Sequence, residues 1–172
     1  MQIVKADQGD IIPLVYLINS AYRGISAKKG WTHEADLVEG ESRTDTEMLE
    51  EIINDKNSVL LILKANNYPV GCIHLKIIEG ELYLGMLTVA PDKQGLGFGK
   101  QLLAEAEVHS RNNGCRRIYM TVISVRQKLI SWYLRHGYSL TGKEQPFPDD
   151  IRYGRPVQPL IFLELEKKML KR

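Results

Sequence analysis

A chain of 172 residues, 44% apolar and 26% charged, is long enough to enclose one sizeable core and short for two. Its 23 Lys and Arg against 21 Asp and Glu leave a net charge of +2 with no long block of one sign, which gives no support to a nucleic-acid partner. Two cysteines exclude a disulfide framework or zinc site, and no apolar run nears the ~20 residues of a membrane span; the N-terminus MQIVKADQGD lacks a signal pattern. These features imply a cytoplasmic protein with no metal and no membrane partner.

The opening QIVKA reads as a short edge strand. The segment DIIPLVYLINSAYRG follows, with Ile12, Val15, Tyr16, Ile18 and Tyr22 at near-helical spacing, Pro13 tolerated in the first turn and Gly24 as the stop. From Ser26 to Arg43 no period survives, and a connection of that length suits a functional loop. TDTEMLEEIIND then predicts a second helix with acids near its start.

Three strands come next, SVLLILKA, PVGCIHLKII and LYLGMLTVAP, antiparallel because the turns at Asn66-Asn67 and Glu79 to Glu81 are short. Cys72 reads as a buried, unreactive thiol and His74 as a core histidine. Gly85 marks a bulge, a close approach, or relief of crowding. QLLAEAEVHSRNNG predicts an amphipathic helix ended by Gly114, CRRIYMTVI a strand parallel to LYLGMLTVAP, and VRQKLISWYLRHG a helix closed at Gly137. YSLTGKE and PLIFLELEKKM supply two last strands around the loop QPFPDDIRYGRPVQ. The class is α/β: one domain over residues 1–172, a mixed sheet of about six to seven strands with about four helices, and a glycine turn between a central strand and a helix.

That turn, QGLGFGK from Gln94 to Lys100, offers unpaired amides and a helix dipole to an anion. It lacks the first Gly and the Ser/Thr of a Walker loop, and Lys100 stands where a dinucleotide fingerprint wants glycine. It does fit Gln/Arg-x-x-Gly-x-Gly/Ala, through Gln94, Gly97 and Gly99, and so resembles the acyl-coenzyme-A loop of the GNAT superfamily of N-acetyltransferases. VAPDK before it looks like that family's lead-in, SWYLRHGY resembles its later signature through Tyr133, Gly137 and Tyr138, and the order of elements is similar along most of the chain.

The resemblance implies acetyl-CoA as co-substrate. The motif's Gln94 and the backbone amides of Gly95, Leu96, Gly97, Phe98, Gly99 and Lys100 would hold its pyrophosphate, while the backbone of Leu87, Thr88 and Val89 pairs with the pantetheine arm. Tyr133 matches the family's general acid. The family's usual base position falls on Tyr83, which is not a carboxylate, and Glu81 lies two residues earlier on the same strand face. For the acceptor, Trp31, Glu34 and Asp36 stand in the acidic first loop, with Asp149 and Asp150 in the last, which suits a cationic amine or plain solvation. Arg126 stands where the family often has Asn, and takes no role from the resemblance.

The resulting expectation is transfer of acetyl to a primary amine, of a small molecule or a peptide, by direct attack in a ternary complex. A non-catalytic acyl-CoA-binding module of the same fold is the alternative, and a scaffold whose loop binds some other phosphate compound is a third reading. A homodimer is left open.

Overall fold

The computed structural model describes residues 1–170. The first strand, β1 (Gln2–Lys5), ends in a capping turn. There the Asp7 side chain accepts from Gly9 N–H at 2.8 Å and the Asp10 carboxylate from Asp7 N–H at 3.1 Å. These bonds launch α1 (Ile11–Tyr22), which buries Ile11, Leu14, Leu17, Ile18 and Ala21. Ile12 and Tyr16, two of the residues whose spacing predicts the helix, are 76% and 78% exposed. The segment is apolar on nearly every side, so its spacing left two faces equally eligible.

The stretch from Ser26 to Arg43 is better ordered than its sequence suggests. A four-residue helix, α2 (Gly24–Ala27), leads into it, and β2 (Val38–Glu39) lies within it. Next, α3 (Thr46–Asn54) is capped by Asp45, which accepts from Met48 N–H at 2.8 Å. Strands β3 (Ser58–Ala65), β4 (Tyr68–Ile78) and β5 (Glu81–Val89) follow as a meander. Its turns place Asn66, Asn67, Glu79 and Gly80 in the left-handed region, as two-residue hairpins require.

The chain continues through α4 (Phe98–Asn112), β6 (Arg117–Ile123), α5 (Gln127–Arg135), β7 (Ser139–Pro146), β8 (Arg155–Pro156) and β9 (Ile161–Lys168). Seven strands form one sheet in the order β1-β3-β4-β5-β6-β9-β7, antiparallel except where α4 carries the chain from β5 to parallel β6. Among the described residues there are five α-helices, one more than expected, because α2 spans a single turn.

One face of the sheet packs on α4 and α5 through Leu75, Leu82, Leu102, Ala106, Ile118 and Ile130. The other packs on α1 and α3 through Leu14, Ile18, Leu49, Leu60 and Ile62. Each such side chain contributes ~1.5–3 kcal/mol by leaving water, so the two cores hold the sheet rigid between them. Cys72, as expected, is buried, and burial pushes its thiol up to about 12. The pair β2–β8 stands apart from the main sheet: Val38 faces Pro156 and Glu39 faces Arg155. It joins the two loops the sequence had left without pattern. Among the described residues no helix is long and apolar enough to cross a membrane.

Candidate active site

The site begins with an irregularity in β5. Across the β4–β5 ladder the interval Cys72–His74 faces the longer interval Gly85–Thr88, and Met86 within it has φ 47°. An extra residue in one strand is a bulge, and positive φ at a non-glycine is stored strain. The bulge also reverses the pleat: Leu84 lies in the core under α4 and α5, and Met86 in the core under α1. Gly85 stands beside this bulge and has another function. A Cβ there would lie 2.8 Å from the Tyr83 ring, so the glycine makes room for the ring.

β5 and β6 pair only at Leu82–Ile118 and Tyr83–Tyr119. Past that point the strands diverge, and two cavities open at the divide. The first, of 470 Å³, runs along the glycine turn; the second, of 570 Å³, lies on the far side under the first and last loops. They share Tyr22, Leu87, Arg126, Leu129 and Tyr133.

In the turn, Gly95 and Gly97 both have φ 82°, and nothing lies within 4 Å of a Cβ built on either. Gly99 differs, since its Cβ would meet the Trp132 ring at 3.3 Å. Two glycines therefore serve backbone geometry, and the third serves close packing of α4 on α5. The first α4 bond is Gln101 N–H to the Gly97 carbonyl. Among the described residues, none of the N–H groups of Gly95 to Lys100 donates a hydrogen bond to protein. Six unpaired amides at the positive end of a helix dipole are donors of a kind that suits an anion.

Leu87, Val89, Gln94, Gly95, Gly97, Phe98, Gly99 and Lys100 line this first cavity. The side chains of Thr88 and Leu96 do not. Thr88 turns away and donates to the Met86 carbonyl at 2.9 Å, and Leu96 is 61% exposed. The Leu87 carbonyl is engaged by the Tyr22 hydroxyl at 2.7 Å. Gln94 binds the protein itself: its Oε1 accepts from Trp31 N–H at 2.8 Å, and its Nε2 donates to Thr32 Oγ1 at 2.8 Å and the Val89 carbonyl at 3.2 Å. A Cβ on Gly30 would lie 2.7 Å from that amide, so Gly30 permits the contact.

The same loop is fixed from its other side by buried charge. Glu34 accepts from Arg23 at 3.0 Å and from Arg126 at 3.1 Å, with side chains no more than 10% exposed. Arg126 also donates to the Thr32 carbonyl, and Arg23 to the Tyr153 carbonyl at 3.0 Å. Burial pushes the Arg23 guanidinium down from its usual range, and the Glu34 charge opposes this. Arg126, without an expected role, is thus the post that ties the first loop to the start of α5.

Tyr133 is 5% exposed, lines both cavities, and packs edge-on against Trp132 and Tyr138. Burial raises its phenol well above the ordinary value, so it stays protonated at neutral pH. Tyr83 lines the second cavity, its ring centroid 5.6 Å from that of Tyr119.

Glu81 does not face either cavity. Arg116 and Arg117 hold its carboxylate at 3.1 and 2.9 Å and lower its pKa, which makes it a poor proton acceptor. The expected acceptor residues also part company. Trp31 lines the first cavity, its ring centroid 6.5 Å from that of Trp132; Asp36 lies outside both and pairs with Lys28 at 2.8 Å. Glu34 does line the second cavity, but with its charge already matched. The other carboxylate there, Glu164, is held by Arg117 at 2.8 Å.

His74, read from sequence as a core residue, lines this cavity too, with Nε2 3.0 Å from Ser58 Oγ. Burial lowers its pKa to about 4, so it is neutral at pH 7 and a weak base. Among the described residues no group of His, Cys, Asp and Glu could hold a metal ion.

Comparison with known proteins accords with this geometry. Residues 28–138 match the Acetyltransferase (GNAT) family. Over 60 residues the chain is 38% identical to an amino-acid acetyltransferase of Ralstonia nicotianae, a stretch covering 35% of this chain and 12% of that protein. The fold is similar to that of a ribosomal-protein-alanine N-acetyltransferase from Brucella melitensis, with TM-score 0.73, 18% identity, and 98% and 100% of the two chains covered. It is likewise similar to a putative acetyltransferase from Salmonella typhimurium solved with its cofactor acetyl-CoA, with TM-score 0.71, 17% identity, and 100% and 95% covered. Because that family's model matches more than half of its length, the chain belongs to the GNAT acetyltransferase family.

Proposed function

We propose that this chain moves an acetyl group from acetyl-CoA to a primary amine, by direct attack with both substrates bound. The observation that carries the reading is the meeting of the two cavities at Tyr133, one walled by a phosphate cradle and the other by aromatic and charged side chains. The residues fit the donor: unpaired amides suit a pyrophosphate, and the splayed strands suit a narrow arm. Acetyl-CoA supplies the acetyl group as a thioester and leaves as a thiolate.

In this reading the amides of Gly95 to Lys100 bind and orient the donor, and Gln94 holds the first loop over it. The amine nitrogen forms the new C–N bond as the C–S bond breaks. Tyr133 donates its phenolic proton to the departing sulfur. Both carboxylates in the acceptor cavity are paired and His74 is a weak base, so the amine's proton leaves through water. The rate should therefore rise with the fraction of acceptor in its free-base form. Relatives named as acting on amino acids and on ribosomal-protein alanine support a small or peptide α-amine as acceptor.

Free thiol released from acetyl-CoA on adding amines tests the reading. Tyr133→Phe should lower kcat about 100-fold or more, the range of general acid catalysis, while acetyl-CoA still binds. An unaltered rate would remove the role given to Tyr133. The pairing of both carboxylates that line the second cavity favours one other reading, an acyl-CoA-binding module; binding of acetyl-CoA without thiol release on a broad amine panel would establish that instead.

A further inference from the structure

Building on the transferase reading, we propose that the acceptor bears a carboxylate beside its amine, as a free amino acid does, and that Arg43 binds that carboxylate. Around the acceptor cavity, Arg23 and Arg126 share the single carboxylate of Glu34, Lys76 pairs with Asp55 at 2.7 Å, and Glu164 pairs with Arg117. Arg43 also lines the cavity, and among the described residues its guanidinium has neither an ion-pair partner nor a hydrogen-bond acceptor.

This guanidinium is held in place. It stands 5.7 Å from the centre of the Tyr22 ring and 5.9 Å from that of Tyr153, so cation–π attraction fixes it from two sides. Its backbone N–H donates to Asn19 Oδ1 at 2.6 Å, and the residue is half-buried. A fork of N–H donors, positioned, partly desolvated and unmatched, is the complement of a carboxylate.

Its position suits the chemistry. The Tyr22 ring beneath Arg43 carries the hydroxyl that binds Leu87 at the junction of the two cavities. A carboxylate on Arg43 would thus lie beside the Tyr22 ring, whose hydroxyl end reaches the junction, in keeping with an amine and a carboxylate on one small molecule. The stacked pair Phe147 and Phe162, with centroids 5.4 Å apart, leaves an apolar wall for a side chain. A polyamine would meet the unmatched positive charge, and a peptide's first residue has its α-carboxyl tied up in the amide bond.

The test compares free L-amino acids with the corresponding amino-acid amides, which share the side chain but differ in the carboxylate and in amine basicity, so kcat/KM is referred to the free-base fraction of each amine at the assay pH. With acetyl-CoA present, kcat/KM for the best acid should exceed that for its amide by about 10- to 100-fold, the range of a charge-assisted hydrogen bond. In Arg43→Gln that ratio should fall towards one, and Arg43→Lys should restore part of it. Equal use of acid and amide by the wild type overturns the proposal, as does preferred use of an alanine-terminated peptide. Calorimetry on the CoA-loaded protein separates this inference from the catalytic one. Acids that bind in an Arg43-dependent way without thiol release uphold the carboxylate site and refute the transferase; if no acid binds more tightly than its amide, the site itself is refuted.

Discussion

Glu34 offers the sharpest test of how the acceptor wall is built. Read from sequence, it belongs to an acidic loop that could meet a cationic substrate; in the structure it is 7% exposed and bridges Arg23 and Arg126. Glu34→Gln keeps the shape and removes the charge, leaving two guanidinium groups together in a poorly hydrated place. Breaking a buried pair in this way costs about 3–5 kcal/mol. With a urea slope of ~2 kcal/mol per molar, the unfolding midpoint should fall by ~2 M, and Tm by roughly 10 °C. Asp36→Asn is the control, because its pair with Lys28 is exposed and should leave the midpoint where it is. Urea titrations followed by far-UV circular dichroism supply both numbers. A Glu34→Gln midpoint within ~0.5 M of wild type, with a raised KM for the acceptor, would show that Glu34 serves the substrate and not the loop.

Two further outcomes can be measured directly. Gly97→Ala forces a side chain into φ 82° at the start of α4, costing about 1 kcal/mol of stability by urea titration, and it places a methyl in the open cradle. Acetyl-CoA affinity by calorimetry should fall at least about 10-fold if those amides hold the pyrophosphate, and an unchanged affinity would move the phosphate site elsewhere. His74 supplies a pH test: its folded pKa of about 4 lies below the ordinary 6.5, so its contribution is complete above pH 6.5 and is lost as pH falls towards 4. Between pH 7 and 5 the wild type should lose about 2 kcal/mol that His74→Gln does not, and equal losses would disprove the burial argument.

How legible was this site? The cradle was nearly complete in the sequence, because a strand, a glycine turn and a helix are local and the spacing of Gln94, Gly97 and Gly99 is short-range chemistry. Tyr133 was legible for a similar reason, since helical spacing puts it with Ile130 on the buried side of α5. Gly85 marks the neighbourhood of the bulge in the sequence, but the residue with positive φ is Met86, whose side chain gives no sign of it. Pairing across two strands sets that angle, and a single strand carries no record of its partner's register.

The acceptor side was read less well, and the reason is charge. An acidic loop is visible in sequence, yet the ion pair of Glu34 with residues 23 and 126, or of Glu81 with Arg116 and Arg117, depends on distant segments. The two-residue pairing of β2 with β8 is likewise too short to leave a period. By itself the sequence determined the order of elements, the glycine cradle and the inward tyrosine, because each rests on contacts a few residues apart. Only the tertiary structure decided which carboxylates are neutralised, where the strands part, and that Arg43 is left unmatched among the described residues of the second cavity, since electrostatic balance belongs to the space around a charge and not to its neighbours in the chain.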